Sequence, residues 1–203
     1  MVIGFFGTPG SGKSTLLCKY AIKELHRLQK GKSPYKHVLT NFPVYGCEQV
    51  QVSDLGRYEI ENSLILIDEI TLDCDSRDYK NFSNSLKNFF TLHRHVNNTV
   101  IYFMQDPSRV DKSIRNVTYS LFYVSSPVIP FLRRFTIARR VFRNFDINEY
   151  SSELILGYRF PKIKEMIFLS TMKICYRPLY YKYFNSFDKL QLDNLPAFHF
   201  QKW

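Results

Sequence analysis

Cysteine is scarce and scattered. Cys18, Cys47, Cys74 and Cys175 are the only four in 203 residues, and no two form a C-x-x-C pair. That spacing excludes a compact thiolate metal or redox motif, and the four read as reduced thiols. Long apolar runs are missing as well. The nearest approach, Tyr119 to Leu132, is interrupted by serines and two prolines, so no membrane-crossing helix is expected. A secretory leader is not expected either, because a glycine-rich stretch follows Met1 too soon. We therefore expect a soluble, cytosolic protein, free or at a membrane surface. There is no internal repeat and no low-complexity linker. Acidic residues are outnumbered, 18 against 28 Lys and Arg, which leaves a net charge of +10 and a pI near 9.4. That balance favours anionic partners: a nucleotide, a nucleic acid or an acidic membrane face. The length suits one domain with an extension, and 45% hydrophobic residues is enough for an ordinary core.

The most informative stretch opens the chain. The apolar run Val2 to Phe6 leads into Gly7, Thr8, Pro9, Gly10, Ser11, Gly12, Lys13, Ser14 and Thr15. Glycine, four residues, then Gly-Lys-Ser is the pattern of a loop that curls around phosphates. The glycines let backbone approach the oxygens, and the free N–H groups at the following helix start face the anion. Lys13 is placed to reach the β- and γ-phosphates, and the Ser14 hydroxyl to ligate Mg²⁺. The context fits: a strand-like run precedes, and Leu17, Ala21, Leu25 and Leu28 follow at helical spacing, with Gly31 at the stop.

Further along, His37 to Thr40 reads as a short strand and 43–58 as irregular surface. Ser63 to Asp68 reads as an apolar strand ending in acids. Thr71 to Arg77 reads as a solvated acidic loop rather than a metal site at Asp73 and Asp75. Tyr79 to His95 is expected to be helical, with Phe82, Leu86, Phe89 or Phe90, and His93 on one face. Thr99 to Met104 is the next strand. Asp106 with Pro107 then signals a helix start, with Val110, Ile114 and Val117 facing inward. Tyr119 to Val124 is the last strand of a core spanning 1–125. Residues 126–203 read as a basic, aromatic C-terminal extension of the same domain, with Thr136 to Val141 in a β-hairpin. Its tail aromatics (Tyr176, Tyr180, Tyr181, Tyr183, Phe184, Phe187) read as packing rather than as a base-stacking platform. Arg133, Arg134, Arg139, Arg140 and Arg143 suit a phosphate backbone, anionic lipid or simply a solvated face.

Alternating strands and helices imply an α/β fold with a parallel sheet and a ligand at the strand carboxyl ends. The phosphate loop, Asp68-Glu69 and Gln105 all fall there. Asp68 is expected to hold Mg²⁺ opposite Ser14, and Glu69 to orient and deprotonate an attacking water. Gln105 is a candidate for contacting the γ-phosphate or positioning water. A transition-state cation would come from Arg94, Arg109 or Arg115, from this chain or a neighbouring subunit. A nucleotide-gated binding module and a small-molecule kinase are the rival readings. Adjacent Asp68 and Glu69, without an arginine-rich lid, argue against the kinase.

The run of motifs resembles one family. Gly7 to Ser14, Thr40-Asn41-Phe42-Pro43, Ile67-Asp68-Glu69, Arg94-His95, Gln105 to Ser108, Asp111 to Arg115 and Tyr183 to Asp188 together resemble the zonula occludens toxin-like ATPases. These include filamentous phage assembly ATPases within the FtsK/HerA group. The resemblance implies a P-loop NTPase with an additional-strand, catalytic-glutamate (ASCE-type) sheet, in which the strand bearing Gln105 lies between those bearing the phosphate loop and Asp68. It implies ATP and Mg²⁺ as cofactors, with Lys13, Ser14, Asp68, Glu69 and Gln105 in the site. It further implies a homo-oligomeric ring, expected to be a hexamer, with Arg94 completing the next subunit's site. Phage or viral DNA is the implied partner, at the host inner membrane or with a membrane-anchored partner. The phage proteins carry a membrane-spanning segment and a periplasmic part that these residues do not contain, so the toxin activity attributed to that part is not expected.

Overall fold

The computed structural model describes residues 1–72, 74, 84–147, 154–162 and 171–184. Asp73, Asp75, Phe82, Phe187 and the first turns of the helix expected from Tyr79 lie outside the described residues, as do the side chain of Arg143 and the end of the Tyr183–Asp188 motif.

Strands β1 (Val2–Phe6), β2 (His37–Thr40), β3 (Glu48–Gln49), β4 (Ser63–Ile67), β5 (Thr99–Met104) and β6 (Ser120–Ser125) form the parallel part of one sheet. Their order is β3-β2-β4-β5-β1-β6, so β5 sits between β1 and β4, as the resemblance implies. All five residues of β4 and all six of β5 are buried, which is why both read as unbroken apolar runs: a parallel strand is covered on both faces. Alternation divides their side chains. Val100, Tyr102 and Met104 join Ile65 and Ile67 on one face, under helices α2 (Asn84–Leu92) and α3 (Lys112–Val117). Ile101 and Phe103 join Phe5, Leu64 and Leu66 on the other, where α1 (Lys13–Gln29) seats Leu16, Leu17, Ala21 and Ile22. Phe5 stacks between Phe103 and Phe122, each 4.9 Å away between ring centres.

The helix expected from Asp106 is two pieces. Asp106 accepts from the Ser108 N–H (2.8 Å) and starts only a 3₁₀ turn, Pro107–Arg109. Val110 then turns extended to reach the core, and Asp111 caps α3 by accepting from the Ser113 N–H at 2.7 Å. Helix α2 ends at Leu92, before His93, but His93 is buried as anticipated, its Nδ1 2.7 Å from the Phe90 carbonyl oxygen.

After β6 the chain reverses. β7 (Phe135–Ile147) pairs antiparallel with β6, and with β8 (Leu154–Arg159) and β9 (Met172–Tyr176). β7 is longer than the Thr136–Val141 strand read from sequence and extends the central sheet. The tail aromatics largely pack: Phe184 is buried and contacts Phe42, and Tyr176 lies against Phe135, though Tyr181 is exposed. Among the described residues, no helix is long and apolar enough to cross a membrane.

Candidate functional site

The carboxyl ends of β1 and β4 bring the two acid-and-phosphate motifs together. β1 delivers Gly7 beside β5, where its N–H donates to the Met104 carbonyl at 3.3 Å. Gly7 also runs against β6, and an added Cβ would fall 2.3 Å from the Val124 carbonyl oxygen. At Gly12, which caps α1, the left-handed φ of 92° would strain any other residue. A Cβ there would also lie 2.0 Å from the Thr136 Oγ1 and 2.7 Å from the Arg177 Nε. Thr8, Pro9 and Gly10 form the exposed crest of the loop, while Ser11, Lys13 and Thr15 are buried.

Lys13 Nζ donates to the Gly7 carbonyl at 2.7 Å and to the Thr8 carbonyl at 3.2 Å, so the ammonium is folded into the loop it follows. Burial lowers its pKa, and the nearby Glu69 and Asp68 carboxylates oppose that shift. Ser14 Oγ donates to Asp68 Oδ2 at 2.7 Å. Burial is the main influence on Asp68 and raises its pKa; the Ser14 hydrogen bond and Lys13 act the other way, and neighbouring Glu69 adds to the rise. A carboxylate in that setting calls for a cation. Two hard oxygen donors already in contact fit Mg²⁺, which takes one or two protein oxygens and completes its shell with water and phosphate.

Asp68 is fixed by a residue that sequence reading treated only as a strand end within a family motif. Asn41 follows β2; its Oδ1 accepts from the Asp68 N–H at 2.7 Å and its Nδ2 donates to the Asp68 carbonyl at 3.0 Å. The signal was present in the Thr40-Asn41-Phe42-Pro43 motif, but the partner was not. Glu69 adopts a left-handed φ of 50°, and its carboxylate accepts from the Thr71 hydroxyl. That backbone costs about 1 kcal/mol for a non-glycine residue and turns the chain sharply just after Asp68. Gln105 directly follows β5, one residue beyond the carbonyl that holds Gly7, and is exposed at the same end of the sheet.

A second contribution to the loop comes from far along the chain. Thr136 Oγ1 donates to the Ser11 carbonyl at 3.2 Å; Arg177 Nη2 donates to the same oxygen at 2.8 Å, and its Nε to Thr136 Oγ1 at 2.8 Å. Neither Thr136 nor Arg177 was singled out for this in the sequence, since no local pattern joins positions so distant.

Arg94 is not part of this constellation. It is exposed beyond α2, near the Met1 amino group, whose pKa it helps lower after burial. Met1 donates to the Asn98 carbonyl beside the start of β5, so Arg94 stands at the amino end of the strands, away from the phosphate loop. Arg109 lies in the 3₁₀ turn after β5 and Arg115 is half-buried in α3. The basic cluster divides: Arg139 covers the Phe160 ring and Arg140 the Tyr119 and Phe142 rings, whereas Arg133 and Arg134 are exposed.

One known structure shares the fold, and others resemble it more weakly. The N-terminal domain of zonular occludens toxin from Neisseria meningitidis superposes with a TM-score of 0.53 at 15% identity, covering 80% of this chain and 95% of that one. Weaker likenesses are FlaH, a flagellar accessory protein of Methanocaldococcus jannaschii, at a TM-score of 0.49 and 11% identity (77% of this chain, 88% of that one), and B204, the DNA-packaging ATPase of Sulfolobus turreted icosahedral virus, at 0.45 and 13% (76% and 95%). No curated protein sequence matches. The family described as zonular occludens toxin (Zot) matches residues 45–169, which include β4 with its acid pair, Arg94 and Gln105. With that match over more than half its length, and with the first superposition above supporting the α/β P-loop fold, the chain belongs to the Zot family.

Proposed function

We propose that this protein is a Mg²⁺-dependent ATPase of phage or viral assembly, of the FtsK/HerA type, that moves DNA during export or packaging. The observation that carries the reading is the 2.7 Å contact of Ser14 with Asp68, which joins the phosphate loop to the strand-end acid. Lys13 leaves the loop carbonyls for the β- and γ-phosphates, supplying charge where the phosphates were anticipated. Ser14 and Asp68 would hold Mg²⁺, which would neutralise phosphate charge. Glu69 takes the proton of the attacking water, and Gln105 orients that water or the γ-phosphate. Residues 126–203 form an extension of the same domain. The partners are further copies in a ring, expected to be hexameric, and phage or viral DNA, with the host inner membrane or a membrane-anchored partner nearby. Arg94, remote from its own loop, serves a neighbour's site. The Zot family membership supports this reading.

ATP turnover of the wild type, Lys13→Ala and Glu69→Gln tests the proposal. Both variants lose turnover by at least about a hundred-fold, while Glu69→Gln still binds Mg²⁺-ATP. Hydrolysis that persists in either variant removes the mechanism. Tight ATP binding by the wild type with negligible turnover, with or without DNA, would make the nucleotide a switch for a binding module.

A further inference from the structure

Two surfaces at opposite ends of the sheet complement each other. At the carboxyl end, the link between β6 and β7 projects a tip in which Val128 and Phe131 are each 85% exposed and Ile129 is 60% exposed. Pro127 and Pro130 stiffen it, and its 3₁₀ turn, Pro130–Arg134, ends on the exposed Arg133 and Arg134. No Asp or Glu occurs between Lys112 and Phe145. Single exposed apolar residues are ordinary; a contiguous set bordered by cations marks a contact surface.

At the amino end, beside β3, a concavity of about 560 Å³ opens near the starts of β2 and β4. Leu39, Val50 and Ile60 give it an apolar lining, and the exposed Glu48, Glu59 and Glu61 make it acidic on a chain that is otherwise strongly basic. Glu48 pairs with His37, but among the described residues Glu59, Glu61, Arg133 and Arg134 form no ion pair.

We propose that the 126–134 tip of one copy seats in the acidic concavity of a second copy. The inference deepens the oligomeric part of the function proposed above and rests on it. A polynucleotide would account for the arginines but not the apolar tip. An acidic bilayer would account for the tip and leave the concavity without an occupant. A second copy uses the apolar tip, the two arginines and the unpaired glutamates together. Repeated head to tail, the contact generates a ring or a filament. It also sets the phosphate-loop end of one copy against the amino end of the next, which is the end that carries Arg94.

Reciprocal charge reversal tests the contact. Arg133→Glu with Arg134→Glu, and separately Glu59→Lys with Glu61→Lys, each abolish self-association in sedimentation velocity with Mg²⁺-ATP present. An equimolar mixture of the two variants associates again, because the reversed tip meets the reversed concavity. Phe131→Ala, which changes no charge, weakens association about ten-fold. The proposal is overturned by variants that associate like the wild type, by a mixture that stays monomeric, or by a wild type that remains monomeric at every concentration. It is also overturned if tip reversal leaves association intact and instead removes binding to phosphatidylglycerol vesicles or to DNA. Binding of a fluorescent ATP analogue is measured on every variant: its absence from the wild type defeats the nucleotide reading and leaves the contact to be judged on association alone.

Discussion

Replacing Asn41 with alanine separates the positioning of Asp68 from its chemistry. The substitution leaves every residue of the phosphate loop and the acid pair unchanged, and removes the two hydrogen bonds of 2.7 and 3.0 Å to the Asp68 main chain. The Asn41 N–H keeps its own bond to the Leu66 carbonyl, so β2 stays in register. Each lost bond is worth about 1 kcal/mol net, and together they amount to about 2 kcal/mol, because half-buried Asp68 regains some solvent. For a chain of this length that lowers Tm by about 4 to 8 °C. The functional effect is expected to exceed the structural one. A partner that orients a metal-binding carboxylate typically contributes ten- to hundred-fold in metal affinity, so the Mg²⁺ concentration that half-saturates ATP turnover should rise by about that factor. Calorimetry and a Mg²⁺ titration of turnover read the two effects separately. A Tm within about 2 °C of wild type together with an unchanged Mg²⁺ midpoint would refute the idea that Asn41 sets the position of Asp68.

Two other perturbations probe the same site. Burial holds the Asp68 pKa above its ordinary value, so an unfolded chain ionises first as pH rises from the carboxylate range; the metal-free protein then loses stability until the folded pKa is passed. Asp68→Asn should flatten that pH slope in calorimetry and raise metal-free stability at neutral pH by about 1 kcal/mol, while abolishing Mg²⁺-dependent turnover; a Tm that falls instead would contradict the burial argument. Arg177→Ala removes two charge-assisted bonds, to Ser11 and Thr136, and should weaken ATP binding about ten-fold in equilibrium titrations, with Arg177→Lys recovering only part of the loss; wild-type affinity in the alanine variant would show that the loop does not depend on them.

Much of the fold was legible because its signals are local. Covered parallel strands read as the apolar runs at 63–67 and 99–104, and the helical stripe at Leu17 and Ala21 faces inward as its spacing demands. The juxtaposition of Ser14 with Asp68 followed from one rule, that parallel strands end together. What escaped was decided by tertiary partners. Val110 is drawn into the core and breaks a helix that its neighbours would continue. The short strand β3 within 43–58 exists because β2 offers an edge. Asn41, Thr136 and Arg177 take their roles from residues to which no periodicity connects them.

The grip of Arg177 on Ser11 spans 166 positions of the chain. A nascent polypeptide emerges from its amino end, so the glycine-rich segment leaves the ribosome 166 residues ahead of the side chain that braces it. Until that later piece docks, Gly12 lacks one of the two side chains that crowd it. The loop thus takes its final shape only after residue 177 has been made, and translation products cut short before it would carry the glycine-rich motif without that brace.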